Sequence, residues 1–340
     1  METRAAKRYH IGTAAKRLGD GPHPLVTNYV SSSSFSIDAE LPIYGPTGSA
    51  APPSLAEAEA YCRRLAKTHY ENFVVAGVLV PRRLRRHFYN VYAYCRWSDD
   101  LADEAGSTER SLQLLDWWDA ELRACYAGRC RHPVFVALRG TIDEFRIPID
   151  PFADLLTAFR QDQTQTRYAT FADLLGYCRN SANPVGRLVL YLARCHEERL
   201  LPWSDAICSG LQLANFWQDV SRDLAKGRVY VPQEDLQQFG AADAALAQTP
   251  TPKNVRELLA FEVTRAEQLL RSGLPLVDAL PRGLQGSIWM FAHGGLKILE
   301  KIRAVDYDVL AIRPRVTKFD QLRLLAGCLW RNVSRGEALR

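Results

Sequence analysis

The sequence predicts an all-α fold, and three observations carry that prediction. Apolar residues recur at helical spacing from Ser54 almost to the C-terminus with short breaks. Capping signals open several of these runs, and no series of alternating β-branched strands interrupts them. At 340 residues the chain could form two average domains or one large helical unit, so length does not choose between them.

Residues 1–53 read as a flexible N-terminal leader. Gly21 to Pro53 holds six of the 18 prolines and the Ser31–Ser34 run, and should not bury enough apolar surface to fold alone. Order is expected from Ser54, where Ser54-Leu55-Ala56-Glu57 forms a capping box, so that residues 54–340 make the helical domain. Pro81 and Gly106 bracket a long helix, and Thr170-Phe171-Ala172-Asp173 opens another. Further helices are expected over about 111–126, 204–224, 253–272 and 287–304, with no internal repeat of solenoid period.

A hydrophobic fraction of 47% with 24% charged residues describes a globular chain with a sizeable core. The longest apolar stretches, Phe73–Val80 and Leu188–Ala193, fall far short of the roughly 20 residues needed to span a bilayer. With no secretory signal in the first twenty residues and eight scattered cysteines, the expected setting is cytoplasmic with reduced thiols. Arg313 to Arg340 carries seven basic and two acidic residues, an excess equal to the whole net charge of +5. That tail, with Leu322, Leu324, Leu325, Leu329 and Trp330, could rest peripherally on an anionic membrane or form an ordinary terminal helix with a solvated basic face. The cluster Arg82, Arg83, Arg85 and Arg86 could approach the same surface. A nucleic-acid partner is not expected.

The chemistry concentrates in two motifs, Asp99-Asp100-Leu101-Ala102-Asp103 and Asp219-Val220-Ser221-Arg222-Asp223. In each, two aspartates four residues apart share a helical face and repel by about 0.2–0.5 kcal/mol when exposed, more when desolvated. Leu84, Phe88, Tyr92 and Cys95 lead down to Asp99 and Asp103, so this stripe should face inward. Gln212, Asn215, Asp219 and Asp223 follow three-four-four spacing below Cys208. Buried carboxylates need a metal or a basic partner, and amide and carboxylate oxygens suit Mg²⁺ bridging to a diphosphate. Arg96, Lys226 and Arg228 stand close enough to neutralise an aspartate or grip that anion, and Phe73, Tyr92, Tyr177, Phe216 and Tyr230 could pack a core or face a carbocation.

At this point the residues resemble a known family. His69-Tyr70-Glu71-Asn72-Phe73, Tyr94-Cys95-Arg96-Trp97-Ser98-Asp99-Asp100, Leu211-Gln212-Leu213-Ala214-Asn215-Phe216-Trp217-Gln218-Asp219 and Gly227-Arg228-Val229-Tyr230-Val231-Pro232 resemble successive signature blocks of squalene/phytoene synthases. The likeness runs in order from about Leu55 to about Leu325. It implies the class I isoprenoid synthase (terpenoid synthase) fold, a single helical bundle around a central cavity. It also implies three Mg²⁺ ions, held by Asp99 and Asp103 and by Asn215, Asp219 and Asp223. Arg228 and Tyr177 would act in catalysis beside the aspartates, while His69, Tyr70, Phe73, Tyr92, Arg96, Gln212, Tyr230 and Arg313 would contact the diphosphate or line the prenyl pocket.

Within the family the chain is most similar to the bacterial hydroxysqualene synthases of hopanoid biosynthesis, through His69–Phe73 and Ser181-Ala182-Asn183-Pro184-Val185-Gly186-Arg187. That likeness implies conversion of presqualene diphosphate to hydroxysqualene, with a presqualene diphosphate synthase and a squalene-associated FAD-dependent desaturase as pathway partners. Gly294-Gly295 stands where carotenoid-type relatives carry a pocket tyrosine, which should leave the wall open for a quenching water. The competing enzymatic reading is head-to-head condensation of two farnesyl or geranylgeranyl diphosphates, with NADPH as hydride donor if squalene is the product. A non-enzymatic reading, an assembly factor of the same fold, would go with degraded aspartate motifs, and both motifs here are intact. A histidine-liganded hydrolase fits poorly with seven histidines and no His-x-x-x-His pair on an expected helix.

Overall fold

The computed structural model describes residues 35–68 and 80–337, and every long element among them is a helix. The first half comprises α1 (Ile37–Tyr44), α2 (Leu55–Thr68), α3 (Arg82–Asp103), α4 (Thr108–Tyr126), α5 (Pro133–Phe145), α6 (Asp150–Gln161), α7 (Phe171–Ser181) and α8 (Asn183–Leu192). Beyond it lie α9 (Leu201–Ala225), α10 (Gln233–Gln238), α11 (Lys253–Gly273), α12 (Pro275–Ala279), α13 (Arg282–Ala304) and α14 (Lys318–Glu337).

Both expected capping boxes form. The Ser54 backbone N–H donates to Glu57 Oε2 at 2.8 Å at the start of α2, and the Thr170 N–H donates to Asp173 Oδ2 at 3.0 Å at the start of α7. Each pairing satisfies donors that the first turn leaves without an intrahelical partner.

The leader ends earlier than the sequence suggested. Ile37 and Leu41, one turn apart on α1, are buried in the main core, Phe35 meets the Trp97 ring edge-on at 5.8 Å, and Tyr61 donates to Glu40 at 3.0 Å. Residues 35–44 do not fold alone but complete a core built by α2 and α3, which offsets the entropy of ordering them.

Two apolar clusters position the site. One lies between α2, α3, α4, α5 and α6, centred on the stacked rings of Trp97 and Trp118 at 5.3 Å. The indole N–H groups of these residues donate to Tyr61 Oη and Ser98 Oγ, each at 3.0 Å, so the polar edges are satisfied inside the core. The other joins α7, α9, α11 and α13. The deepest face of α3 is Val91, Tyr94, Trp97, Ser98 and Leu101; of the expected stripe, Leu84 is buried in the core, Phe88 and Cys95 pack against it half-buried, and Tyr92 is half-buried. Asp99, by contrast, is exposed. Among the described residues no helix is long and apolar enough to cross a membrane.

Candidate active site

The C-terminal ends of α3 and α9 meet, and each ends on carboxylates. Asp103 closes α3, while Asp223 lies in the last turn of α9. A helix C-terminus carries the negative end of the peptide dipole, so carboxylates there are disfavoured unless cations compensate. Two such cations come from the turn after α9: Lys226 Nζ donates to Asp103 Oδ2 at 2.8 Å, and Arg228 Nη2 to Asp103 Oδ1 at 3.1 Å.

Gly227 makes that contact geometrically accessible. Its φ of +78° lies in the left-handed region, where a side chain is disfavoured, and the reversal returns the Arg228 N–H to the Asp223 carbonyl at 2.8 Å. The chain then runs extended, held by Val229 N–H on Thr166 O and Gln233 N–H on Tyr168 O, each at 2.9 Å. Arg228 and Tyr230 are thus fixed on a short segment tied at both ends.

On α9, Asn215 Nδ2 donates to Asp219 Oδ2 at 3.2 Å. Asp219 itself departs from helical geometry (φ −111°, ψ 16°) and kinks the helix that the sequence reads as continuous. From the segment before α14, Arg313 forks onto both Asp219 oxygens, with Nη2 to Oδ2 at 2.8 Å, and Gln218 Nε2 donates to Pro314 O at 2.6 Å. The kink is clamped from outside the helix.

Asp99 and Asp223 are less engaged. The Asp99 side chain is 51% exposed, with Arg96 at 3.7 Å, yet burial among protein atoms and repulsion from Asp103 raise its pKa. Asp223 has no ion pair among the described residues; burial, then repulsion from Asp219 and Asp103, push its pKa up to about 7 against the pull of Lys226 and Arg228. Asp103 of the first motif and Asp223 of the second therefore lie within electrostatic reach of one another.

Arg96 forks onto the buried Asp100, with Nε to Oδ2 at 2.9 Å, so its first duty in this arrangement is to neutralise that core carboxylate. Tyr92, half-buried one turn earlier, has its pKa raised to about 12, chiefly by burial. Gln212 is half-buried one turn before Asn215. His69, Tyr70 and Phe73 lie outside the described residues.

An aromatic wall adjoins the acids. Phe216 and Tyr230 stack at 3.8 Å between centroids, with Tyr177 5.8 Å from Tyr230. Phe216, Trp217, Asp223, Arg228 and Tyr230 line one small cavity of about 10 Å³, room for little more than a water molecule. The Tyr177 hydroxyl donates to Asp162 Oδ2 at 2.9 Å, and Asp162 is an acid the sequence reading missed. Burial raises its pKa to about 6 against the pull of Arg228, and its Oδ1 is buried without a hydrogen-bond partner, as is the hydroxyl of neighbouring Tyr168. In Gln161-Asp162-Gln163 no acid recurs at helical spacing, so the segment reads as a solvated helix end.

The expected open wall at Gly294-Gly295 divides in two. A Cβ on Gly294 would meet nothing within 4 Å, but one on Gly295 would lie 2.7 Å from Leu211 Cδ2 and 3.1 Å from Leu270 Cδ1. Gly295 is small because α13 packs closely on α9 and α11 there, so the spare room belongs to Gly294 alone.

Among the described residues no three acidic, histidine or cysteine side chains are grouped closely enough to share one ion. The donor chemistry nonetheless fits Mg²⁺: Asp99, Asp103, Asn215, Asp219 and Asp223 offer only hard oxygen ligands besides the Asn215 amide nitrogen. Their electrostatic strain supplies the demand for positive charge that Lys226, Arg228 and Arg313 meet in this arrangement.

Comparison with known proteins gives this geometry a family. A model of the squalene/phytoene synthase family matches residues 66–320. The structure is similar to squalene synthase HpnC from Alicyclobacillus acidocaldarius, with a TM-score of 0.71 and 44% identity over 75% of this chain and 96% of that one. It also resembles a dehydrosqualene synthase crystallised with a ligand, with a TM-score of 0.76 and 25% identity over 82% of this chain and 98% of that one. Among curated sequences, 15-cis-phytoene synthase of Synechocystis is 30% identical over 284 residues, covering 80% of this chain and 84% of the relative. The helical bundle is accordingly the class I isoprenoid synthase fold, and the chain belongs to the squalene/phytoene synthase family, whose enzymes process prenyl diphosphates.

Proposed function

We propose that the protein converts presqualene diphosphate and water to hydroxysqualene, releasing diphosphate, with Mg²⁺ as cofactor. The observation that carries this reading is the meeting of Asp103 with Lys226 and Arg228, within electrostatic reach of Asp99 and Asp223, beside the Phe216–Tyr230 wall. The 44% identity to squalene synthase HpnC favours a C30 substrate.

Asp99, Asp103, Asn215, Asp219 and Asp223 would hold Mg²⁺, which when bound supplies Lewis-acid charge to the departing diphosphate. Lys226, Arg228 and Arg313 would turn from the acids to the diphosphate oxygens, Arg228 with a geometry suited to paired oxygens. As the cyclopropylcarbinyl carbon loses the diphosphate, the ring faces of Phe216 and Tyr230 would stabilise the cation and keep bulk water from it. One admitted water adds its oxygen to the rearranged cation and gives up a proton.

The test is incubation of the purified protein with Mg²⁺ and, in separate reactions, presqualene, farnesyl or geranylgeranyl diphosphate, with products identified by mass spectrometry. Hydroxysqualene from presqualene diphosphate alone supports the reading. Phytoene or squalene from the shorter substrates would establish the second reading, head-to-head condensation, which the phytoene synthase relatives favour.

A further inference from the structure

We propose that the outer face of α14 docks on a bilayer bearing anionic headgroups. Phe319, Leu322, Ala326, Leu329 and Trp330 follow three-four-three-one spacing and occupy one exposed stripe of the helix, with Phe319 67% and Trp330 75% exposed. No other surface helix of the described residues collects as many exposed large apolar side chains.

The helix is locked with that stripe outward. A capping box fixes its start, Thr317 N–H donating to Asp320 Oδ2 at 2.9 Å and Asp320 N–H to Thr317 Oγ1 at 3.2 Å. On its inner face Asp320 is bridged by Lys301 of α13 at 2.9 Å, and Cys328 packs with Met290. Turning the stripe inward would break the Lys301 bridge and the Cys328–Met290 contact, so its exposure is a consequence of the packing.

Charge selects the occupant. Between Arg313 and Arg331 the sole acid is Asp320, which is buried against α13. Arg315, Lys318 and Arg323 are exposed around the stripe, and none has an ion-pair partner among the described residues. The Arg323 guanidinium lies 5.8 Å from the Phe319 ring, so cation and apolar surface are adjacent. An apolar stripe on a helix whose own exposed charges, up to Arg331, are all cations matches the boundary between acyl chains and anionic headgroups, although Glu300 and Asp278 of neighbouring elements lie near Arg323 and Arg331, and an exposed Trp suits that depth. A second copy fits badly. A two-fold pairing of this stripe would set its cations against one another with no carboxylate between them, on a patch of one helix face against the roughly 800 Å² per partner of a stable interface.

The docking face is also joined to the site. Ile312, 51% exposed, is followed directly by Arg313 and Pro314, which hold Asp219 and Gln218. The proposal is independent of which prenyl diphosphate is consumed.

The test is co-sedimentation of the full chain with neutral phosphatidylcholine vesicles and with vesicles containing phosphatidylglycerol, at low and high salt, and quenching of tryptophan fluorescence by brominated lipid. Binding to the anionic vesicles, weakened by salt and by roughly five-fold for each of Arg315, Lys318 and Arg323 changed to Gln, is expected. L322E/W330E, at two exposed positions, should abolish binding and the quenching while leaving the circular dichroism and melting temperature unchanged. Absence of binding, equal binding to neutral vesicles, or unchanged binding by L322E/W330E would overturn the proposal. So would a dimer in light scattering that L322E/W330E converts to monomer.

Discussion

Arg228 donates to Asp103 at 3.1 Å, joining residues 125 positions apart and closing the ends of two helices onto one another. Because both helices end on acids, this bond and its Lys226 neighbour relieve a repulsion that the fold itself creates. On the proposed function, the same cations would serve an incoming diphosphate. The site would then trade these internal salt bridges for ligand contacts, so that little new order would be required on binding.

Asp103→Asn tests that exchange. The amide cannot supply the charge that holds Lys226 and Arg228, and it is a poorer oxygen ligand for a divalent ion. Turnover of the prenyl diphosphate should fall by about 10²–10³-fold, the range seen when one preorganised electrostatic element is lost. Calorimetric titration of Mg²⁺ with inorganic diphosphate should show weaker binding of the pair; unchanged turnover and binding would refute the assignment.

The pKa of Asp223, pushed up to about 7 from an ordinary 3.8, has a stability consequence. Between pH 4 and 7 the folded state retains a proton that the unfolded state releases, so rising pH removes stability across that window and no more above it. Asp223→Asn, which has no proton to release, should match the wild type near pH 4. By pH 7.5, without divalent metal, it should be more stable by on the order of 1 kcal/mol, a value reduced for the partial solvent access of the site. Parallel melting-temperature profiles would contradict this, and added Mg²⁺ should close the gap by stabilising the wild type alone.

Gly227→Ala isolates the backbone reversal from the charges it delivers. No atom lies within 4 Å of an added Cβ, so any cost comes from the left-handed φ of +78°. A loss of about 1 kcal/mol is expected in urea denaturation, together with reduced turnover as Arg228 shifts. Ala at Gly240, which also has positive φ and open space, should cost similar stability without the loss of activity.

The fold and the acids were legible because each rests on local rules. The Ser54 and Thr170 caps are fixed by residues three positions apart, and the aspartate pairs by helical period. What escaped depends on contacts distant in the chain. α1 is ordered only by a core that α2 and α3 build, and the kink at Asp219 accompanies clamping by Arg313 and Pro314, 94 and 96 residues on from their partners. Asp162 belongs to the same class: only folding brings it under Tyr177 and within reach of Arg228, so no spacing marks it.

The two glycines of α13 supply a contrast that period alone could not foresee. Gly295→Ala sets a methyl group 2.7 Å from Leu211 Cδ2 and 3.1 Å from Leu270 Cδ1, where neighbouring helices leave little freedom to give way. Overpacking of this kind should lower stability by roughly 1–3 kcal/mol, read from the denaturation midpoint. Gly294→Ala meets no atom and replaces glycine with the best helix former, so it should be neutral or stabilising by up to about 1 kcal/mol. Gly294 is consequently the position at which larger side chains probe spare volume without breaking the bundle. Should both alanine variants melt together, the close approach of α13 to α9 and α11 at Gly295 would be wrong, and with it the assignment of the open space to Gly294.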